Sequence, residues 1–274
     1  MSQPSPTPTL QNLTLPPLHV LSDAAREAGE IALRYFGKAK SWTKAGDSPV
    51  TEADLAIDHM LHGHLRGAYP GFGWLSEEIE DDGSRLSGAP TFIVDPIDGT
   101  RGFMDEREDW AVSIALIQNG EPKLGVLFQP VTGQLYFAEA KRGAHLEASD
   151  GTVTSLTPQN TETLHNALLA APGPRKDDAP FRRAAHIASL ALRIARVANG
   201  ALDGCIAKPH AKHWDIAAAD LLVREVGLRL EHASSSSKGH RPRYDTASIA
   251  HPALVCGTSS LCDTMQTMVS TNHS

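Results

Sequence analysis

The chain has 274 residues, is 41% hydrophobic and 21% charged, and carries a formal net charge of -7. This length and composition predict one large folded domain or two closely packed halves. The negative charge disfavours binding to a nucleic-acid polymer, which needs an excess of Lys and Arg, and no apolar stretch approaches the roughly 20 residues of a membrane span.

The N-terminus has the composition of a disordered leader. Residues 1–17 are rich in Pro, Ser and Thr, and they lack the basic start and the apolar core of a secretory signal. We therefore expect a disordered leader over residues 1–17 and a cytoplasmic protein. The cysteines have no zinc-site spacing, which agrees with a reducing compartment; they are Cys205, Cys256 and Cys262.

Two amphipathic helices are predicted after the leader. Apolar residues at three- and four-residue spacing predict a helix over 22–36, which Gly37 can end. The same spacing predicts a second helix over 51–65. Asp54 lies in its first turn, where a carboxylate interacts favourably with the helix dipole.

The middle of the chain is predicted to form a sheet that is mainly antiparallel. The Asn119-Gly120 and Thr132-Gly133 pairs are typical of hairpin turns and separate three apolar runs. Two shorter apolar runs precede them, and each is followed by carboxylates. The predicted strands are 72–75, 91–94, 110–118, 123–129 and 134–139.

The second half is predicted to mix helices and short strands. We expect extended segments at 167–171 and 204–207, helices over 184–198 and 215–226, and a mobile low-complexity segment at 234–239. Blocks of helix and sheet favour an α+β or layered α/β fold over a doubly wound sheet. We divide it into an N-terminal α+β half, 18–150, with the metal site, and a C-terminal α/β half, 151–274, that completes the active site.

The hexapeptide at residues 95–100 (DPIDGT) carries the strongest chemical signal. Asp95 and Asp98 follow a buried strand, where two carboxylates are costly unless a cation neutralises them. Mg²⁺ fits because it prefers oxygen ligands, and the Ile97 carbonyl could supply a further one. The residues after Asp98 would begin the next element, whose backbone N–H groups suit a phosphate.

Four sequence blocks in this order resemble the inositol monophosphatase superfamily of lithium-sensitive magnesium phosphatases. They are residues 48–54 (SPVTEAD), 76–78 (SEE), 94–100 (VDPIDGT) and 214–219 (WDIAAA). The resemblance covers roughly residues 18–256. It implies a layered α-β-α-β-α sandwich of the inositol monophosphatase and fructose-1,6-bisphosphatase type, usually a homodimer, inhibited by lithium.

The resemblance also implies roles for individual residues. The implied metal ligands are Glu77, Asp95, the Ile97 carbonyl, Asp98 and Asp215. The implied catalytic residues are Asp54 and Thr100, which would orient the attacking water, and Glu77, which would share that role or assist a third metal. The implied substrate contacts are Asp98, Gly99, Thr100, Arg101 and Asp215. Two or three Mg²⁺ ions are expected per site, and two ions about 3.5–4 Å apart can bridge a phosphate.

Three further residues are candidates for contacts near the site. Lys44 lies near a position where some superfamily members carry a basic residue that faces the phosphate or the metals. His210 and His213 precede the block at 214–219 closely enough to touch a substrate.

The substrate is predicted from departures within the family pattern. Arg101, after Thr100, resembles the basic residue of bacterial 3'(2'),5'-bisphosphate nucleotidases, but histidinol phosphatases of this superfamily often carry Arg here too. Arg101 could contact a second anionic group or could only pair with Asp105 or Glu108. Residues 109–116 and 125–130 also resemble the nucleotidase branch. The expected order of activities is adenosine 3',5'-bisphosphate to AMP and phosphate, then inositol-1-monophosphatase, then histidinol-phosphatase, with a sugar bisphosphatase as a further option. In another class, the chain would be a non-catalytic scaffold that binds a protein partner.

Overall fold

The structure is a computed structural model that describes residues 13–44, 49–173, 179–233 and 239–271. The helices are α1 (Leu18–Tyr35), α2 (Glu52–Leu61), α3 (Thr100–Met104), α4 (Leu190–Ala198), α5 (His213–Glu225) and α6 (Ser259–Thr271). The strands of the first half are β1 (Ser41–Thr43), β2 (Pro49–Thr51), β3 (Gly73–Ser76), β4 (Thr91–Asp98), β5 (Ala111–Gln118), β6 (Glu121–Gln129), β7 (Gln134–Glu139) and β8 (Ala144–Glu147). The remaining strands are β9 (Val153–Ser155), β10 (Leu168–Ala170), β11 (Arg182–Arg183), β12 (Gly204–Ala207), β13 (Arg229–His232) and β14 (Leu254–Gly257).

A seven-stranded sheet forms the first sheet layer, in the order β3-β4-β5-β6-β7-β8-β9. β3 and β4 are parallel, and every later pair in this sheet is antiparallel. Asn119 and Gly120 have φ values of 55° and 73°, as a two-residue hairpin turn with two left-handed positions requires. The predicted antiparallel sheet is therefore confirmed.

The two N-terminal helices cover one face of this sheet. α1 contacts β5, β6 and β7, and α2 contacts β4. Their apolar stripes pack with Phe92, Val126 and other sheet residues in one buried cluster. The prediction that Gly37 ends the first helix is confirmed, since α1 ends at Tyr35 and Gly37 has φ of 74°.

The opposite face is covered by α4 and α5, which belong to the second half of the chain. α5 runs across β4 to β8, and the missing side chain of Gly125 makes room for it, because a Cβ there would lie 2.7 Å from the Ala218 carbonyl oxygen. A second sheet, in the order β11-β10-β12-β14-β13, packs on α4 and α5, and α6 contacts its β13 and β14. The result is the predicted α-β-α-β-α layering, in which both halves share one core.

Several boundaries differ from the predictions. The predicted helix over 184–198 begins only at Leu190, because Ser189 caps it and β11 occupies Arg182–Arg183. The helix expected over 51–65 ends its regular part at Leu61 and continues as a wider π-type turn to Arg66. The helix expected from residue 215 starts two residues earlier, at His213.

Two predictions fall largely on residues that the structure does not describe. Of the predicted leader 1–17, residues 13–17 are described, and Leu13 and Leu15 pack against the N-terminal core, so packed structure begins before the expected start at Leu18. Residues 234–238 of the low-complexity segment lie outside the described residues. Within the described ranges, no helix is long and apolar enough to cross a membrane.

Candidate active site

Two carboxylates of the hexapeptide come from the end of β4, where its pairing with β5 is irregular. Asp95 lies opposite Ser113 and Asp98 lies opposite Ala111, so three steps along β4 match two steps along β5. Side chains alternate faces along a regular strand, which would send residues three apart to opposite sides. The extra residue shifts that alternation by one and lets both carboxylates reach the same site.

The third carboxylate comes from the first turn of α5. Asp215 accepts a hydrogen bond from the backbone N–H of Lys212 at 2.7 Å, as a residue in a helix capping box does. Carboxylate oxygens of Asp95, Asp98 and Asp215 all lie within 4.8 Å of one another. We call these three residues the acidic cluster. The structure thus joins two residues of the first half to one of the second.

The acidic cluster is electrostatically unfavourable by itself. Burial, together with the nearby charge of Asp98, raises the pKa of Asp215 to about 7. Burial and the neighbouring carboxylates also raise the pKa of Asp95 well above its usual value. In the described part of the chain, no Lys or Arg forms an ion pair with any of the three. Oxygen-only donors that form no ion pair within the described chain, two of them buried and one partly buried, fit a hard cation such as Mg²⁺.

Glu77 lies at the same edge, because β3 runs parallel to β4 and both end at the site. Burial raises the pKa of Glu77 to about 8, and Glu78, Asp215 and Asp54 add to the effect. Glu77 does not belong to the group of described side chains within 4.8 Å of one another. Its role as a metal ligand therefore stays a prediction.

Lys44 approaches this edge from the segment after β1. Its Nζ lies 2.5 Å from Glu78 Oε1 and 3.6 Å from Glu77 Oε1. Glu77 and Glu78 therefore share one ammonium group. The ammonium group partly offsets the charge of the two glutamates and leaves the acidic cluster without an ion-pair partner.

Asp54 offers an oxygen without a partner beside these carboxylates. Its Oδ2 accepts hydrogen bonds from the Thr51 N–H at 2.8 Å and from Thr51 Oγ1 at 2.6 Å. Its Oδ1 is buried and has no hydrogen bond in the described ranges. Burial raises the pKa of Asp54 to about 6, against the effect of the Thr51 hydrogen bonds. Oδ2 is therefore held by the hydrogen bonds of the helix cap, and Oδ1 can accept a proton or a hydrogen bond.

The residues after Asp98 form a tight turn into α3. Gly99 has φ of 96°, and a Cβ on it would lie 2.8 Å from the Ser189 N atom, so both its conformation and its packing favour glycine. The Thr100 hydroxyl donates to the Ile97 carbonyl at 3.1 Å. Thr100 and Asp54 thus have separate hydrogen-bond partners, and their joint action on a water stays a prediction. Arg101 is exposed on α3.

Ser189 is a site residue that the sequence argument missed. Its hydroxyl donates to Asp98 Oδ2 at 2.5 Å and accepts from the Leu192 N–H at 2.9 Å, while the Ala191 N–H also donates to Asp98 Oδ2. Asp98 is therefore a member of the acidic cluster that also stabilises the N-terminus of α4. A serine just before an apolar helical run is a cap signal that could have revealed it.

Asp58 is a second residue that the sequence argument missed. It lies one turn after Asp54 in α2, is fully buried, and accepts hydrogen bonds from Ser76 Oγ at 2.7 Å and from the Ile79 N–H at 3.0 Å. These contacts lie on both sides of Glu77. Asp58 thereby anchors the segment that carries Glu77 to helix α2.

The two candidate histidines have different environments. His213 is fully buried at the start of α5, with Nδ1 2.8 Å from His251 Nε2, and burial lowers its pKa to about 4. His210 is exposed and has a positive φ of 80°. The packing explains His213 as part of the core, and a substrate contact by His210 stays a prediction.

Comparisons with known proteins agree with this arrangement. The model of the inositol monophosphatase family matches residues 16–260. Over 201 residues, the chain is 35% identical to a histidinol-phosphatase of Mycobacterium tuberculosis, covering 69% of this chain and 75% of that protein. Over 225 residues, it is 33% identical to an inositol-1-monophosphatase of Rhizobium meliloti, covering 77% and 83%.

Solved structures support the fold. An IMPase of Thermotoga maritima superposes with a TM-score of 0.79 over 92% of this chain and 96% of that chain, at 24% sequence identity.

Proposed function

The chain belongs to the inositol monophosphatase family of phosphatases, and from that premise we propose that it hydrolyses a small phosphate monoester with Mg²⁺ held at the acidic cluster. One observation carries the proposal. Three carboxylates, those of the buried Asp95 and Asp98 and of the partly buried Asp215, converge within 4.8 Å. The carboxylates would repel a phosphate unless a cation lay between the carboxylates and the phosphate. A cation in that position would attract the carboxylates and the phosphate alike.

The residues of the site would have different roles, which depend on their positions. The acidic cluster, the Ile97 carbonyl and Glu77 would hold two or three ions. When bound, Mg²⁺ supplies polarisation of the phosphate and a water of lowered pKa. Asp54 Oδ1 is the acceptor that has no partner within the described ranges, so it is suited to orient the attacking water. The Thr100 hydroxyl would join it by turning away from the Ile97 carbonyl.

The proposed substrate is a 3'(2'),5'-bisphosphate nucleotide, with adenosine 3',5'-bisphosphate converted to AMP and phosphate. The support is Arg101, exposed one residue beyond Thr100, where a guanidinium can meet a second anionic group. Inositol 1-phosphate and histidinol phosphate are the alternatives, and the names of the two similar proteins favour them. Substrate contacts by Asp98, Gly99, Thr100 and Asp215 are part of the same proposal.

The remaining properties follow from family membership. We propose that the protein is a cytoplasmic homodimer and that lithium inhibits it. A non-catalytic scaffold is less well supported, because a scaffold has no physical need to bring three carboxylates together without an ion-pair partner.

The direct test combines one substitution with a panel of phosphate esters. Asp98→Asn should lower magnesium-dependent phosphate release by about 100-fold or more, since a lost ligand weakens charge stabilisation in the transition state. The panel contains adenosine 3',5'-bisphosphate, inositol 1-phosphate and histidinol phosphate, each assayed with and without Mg²⁺.

The matched control is Asp263→Asn, which removes an exposed carboxylate from α6 in the outer layer. It should leave activity unchanged. Equal activity of Asp98→Asn and the control would refute the metal role. Phosphate release from the bisphosphate no faster than from the other two esters would refute the proposed substrate and leave the phosphatase chemistry intact.

A further inference from the structure

Asp109 joins two distant chain segments beside the acidic cluster. It is a buried residue that lies two positions before β5. Its Oδ2 accepts a hydrogen bond from the Ala188 N–H at 2.6 Å and one from Arg107 at 2.5 Å. Its backbone carbonyl accepts the Ser189 N–H at 3.0 Å. We call the contacts of Asp109 with Ala188 and Ser189 the Asp109 junction.

The segment held by this junction carries the groups that bind Asp98. The Ser189 hydroxyl and the Ala191 N–H donate to Asp98 Oδ2 at 2.5 Å and 2.7 Å. These two bonds fix the direction of the Asp98 carboxylate within the acidic cluster. A continuous path therefore leads from the carboxylate of Asp109 through Ala188 and Ser189 to the carboxylate of Asp98, and every step of it is a covalent bond or a hydrogen bond.

Helix α3 packs on the same junction through a residue that has no side chain. A Cβ on Gly102 would lie 2.8 Å from the Ala188 Cβ and 3.1 Å from Asp109 Oδ1. Gly102 does not have a positive φ, so close packing is the reason that a glycine fits here. Because α3 begins at Thr100, the junction also contacts the helix that carries this implied catalytic residue.

The second oxygen of Asp109 indicates that the residue sets geometry. Asp109 Oδ1 is buried and accepts no hydrogen bond within the described ranges. A buried acceptor without a donor lowers stability, and such an atom calls for an explanation. The position that Asp109 gives to Ala188 and Ser189, next to a member of the acidic cluster, supplies one.

We propose that Asp109 is a positioning residue of the metal site, which fixes the carboxylate of Asp98 through Ala188 and Ser189 and so raises the affinity of the acidic cluster for Mg²⁺. This inference rests on the proposed function, because it takes the acidic cluster to be a magnesium site. Groups that orient a metal ligand raise the affinity of the site by restricting the movement of that ligand. Asp109 is not itself one of the implied ligands.

The test compares two substitutions that remove the same kind of hydrogen bond. Asp109→Ala removes the acceptor of the Ala188 N–H. Asp203→Ala, directly before β12 of the second sheet, removes the acceptor of the Leu168 N–H, which also lies at 2.6 Å. Both variants should lower the melting temperature in EDTA. Only Asp109→Ala should weaken Mg²⁺ binding in a calorimetric titration, by about 10-fold, as the loss of a group that orients a metal ligand does.

Asp109→Asn is the conservative variant that should restore the function of the junction. The amide oxygen of Asn can still accept the Ala188 N–H, while the charge that pairs with the partly exposed Arg107 is lost. Mg²⁺ binding should stay within about 3-fold of the wild type, because such an ion pair contributes little. Binding as weak as that of Asp109→Ala would overturn the positioning role.

An added methyl group disturbs the junction from the side of α3. Gly102→Ala forces the Ala188 Cβ to move, so Mg²⁺ binding should weaken at least about 3-fold. The matched control is Gly63→Ala, where an added Cβ meets nothing within 4 Å and should leave Mg²⁺ binding unchanged. Gly102→Ala also tests the inference if Asp109→Ala does not fold, and binding equal to that of Gly63→Ala would then refute it.

The titration with Mg²⁺ separates this inference from the proposed chemistry, because it needs no substrate. If the wild type binds Mg²⁺ but hydrolyses no phosphate ester, the proposed function fails, and the comparison of Asp109→Ala with Asp203→Ala still decides the inference. Unchanged binding by Asp109→Ala, or an equal loss in both variants, would refute the positioning role alone. A wild type that binds no Mg²⁺ would overturn both.

Discussion

Helix α5 carries two aspartates with different partners, Asp220, which is fully buried, and Asp215, which is partly buried. Asp220 forms an ion pair with Arg224 at 2.8 Å and accepts a hydrogen bond from the Tyr244 hydroxyl at 2.9 Å. Asp215, five residues earlier, accepts a backbone N–H and otherwise faces Asp95 and Asp98. Both are carboxylates of the same helix, and of the two only Asp220 forms an ion pair with a residue that the structure describes.

The difference distinguishes a structural carboxylate from a functional one. The charge of Asp220 is balanced by its own chain, so its removal should cost stability. The negative charges of the acidic cluster require a bound cation to balance them. Removal of one of its carboxylates should therefore lower activity and, in the metal-free protein, reduce the repulsion among the remaining carboxylates. The degree of burial does not by itself distinguish a structural carboxylate from a functional one. The groups that contact each carboxylate do.

The largest expected effect is on activity at the acidic cluster. Asp95→Asn should lower kcat/KM by about 1000-fold, because Asp95 is one of the implied metal ligands and its carboxylate would lose its negative charge. It should not lower the midpoint of thermal unfolding of the metal-free protein. Steady-state kinetics and melting curves with and without Mg²⁺ check both parts, and the rise in melting temperature with Mg²⁺ should disappear. A variant that keeps wild-type activity would break the comparison.

The next effect is on stability at the other end of α5. Asp220→Asn should lower the free energy of unfolding by about 3 kcal/mol, because Arg224 is left mostly buried without its partner. Urea denaturation measures this loss, with Asp263→Asn as a control expected to change stability by less than about 0.5 kcal/mol. The folded variant should retain its magnesium-dependent activity. A variant that lost activity but kept its stability would contradict the structural role assigned to Asp220.

The acidic cluster and its neighbours also predict a pH dependence of the metal-free protein. The folded-state pKa values of Asp54, Asp215 and Glu77 are raised to about 6, 7 and 8. The folded protein therefore holds protons that the unfolded chain has lost above about pH 4 to 5, and its stability must fall as the pH rises towards 8.

The fall should amount to several kcal/mol between pH 5 and pH 8, because each raised pKa contributes about 1.4 kcal/mol per pH unit until that group ionises. Saturating Mg²⁺ should reduce or reverse it, because the metal binds the ionised carboxylates. Urea denaturation at each pH, with EDTA or with Mg²⁺, gives the two curves. A metal-free protein that becomes more stable over this range would contradict the predicted protonation.

The smallest expected effect is at Asp58. Asp58→Asn should lower kcat/KM about 10-fold by loosening the segment of Glu77, as changes in residues that orient metal ligands do. The magnesium concentration for half-maximal activity should rise as well. A purely structural role would lower the melting temperature and leave this magnesium dependence unchanged.

Much of the fold and of the cluster could be predicted from local sequence. The hairpin turns at Asn119-Gly120 and the spacing of apolar residues depend on neighbouring residues alone, so the antiparallel sheet and the first helices were predicted correctly. Asp95, Asp98 and Asp215 were predicted together because their sequence blocks resemble a known family, and the structure brings their oxygens within 4.8 Å.

Other features depend on residues far apart in the chain. The helix predicted over 184–198 starts at Leu190 because Ser189 bonds to Asp98, 91 residues earlier. Lys44 reaches Glu78 across 34 residues, which no local pattern specifies.

The sequence by itself determined which oxygen ligands are available and in what order, because side-chain chemistry and the hydrophobic period are properties of short segments. Only the tertiary structure decided which charges are balanced. α5 brings Asp215 to the end of β4 and Asp220 to Arg224, and the bulge in β4 turns Asp95 and Asp98 to one side. The electrostatic energy of a buried charge depends on every group within a few ångströms, and those groups come from distant parts of the chain.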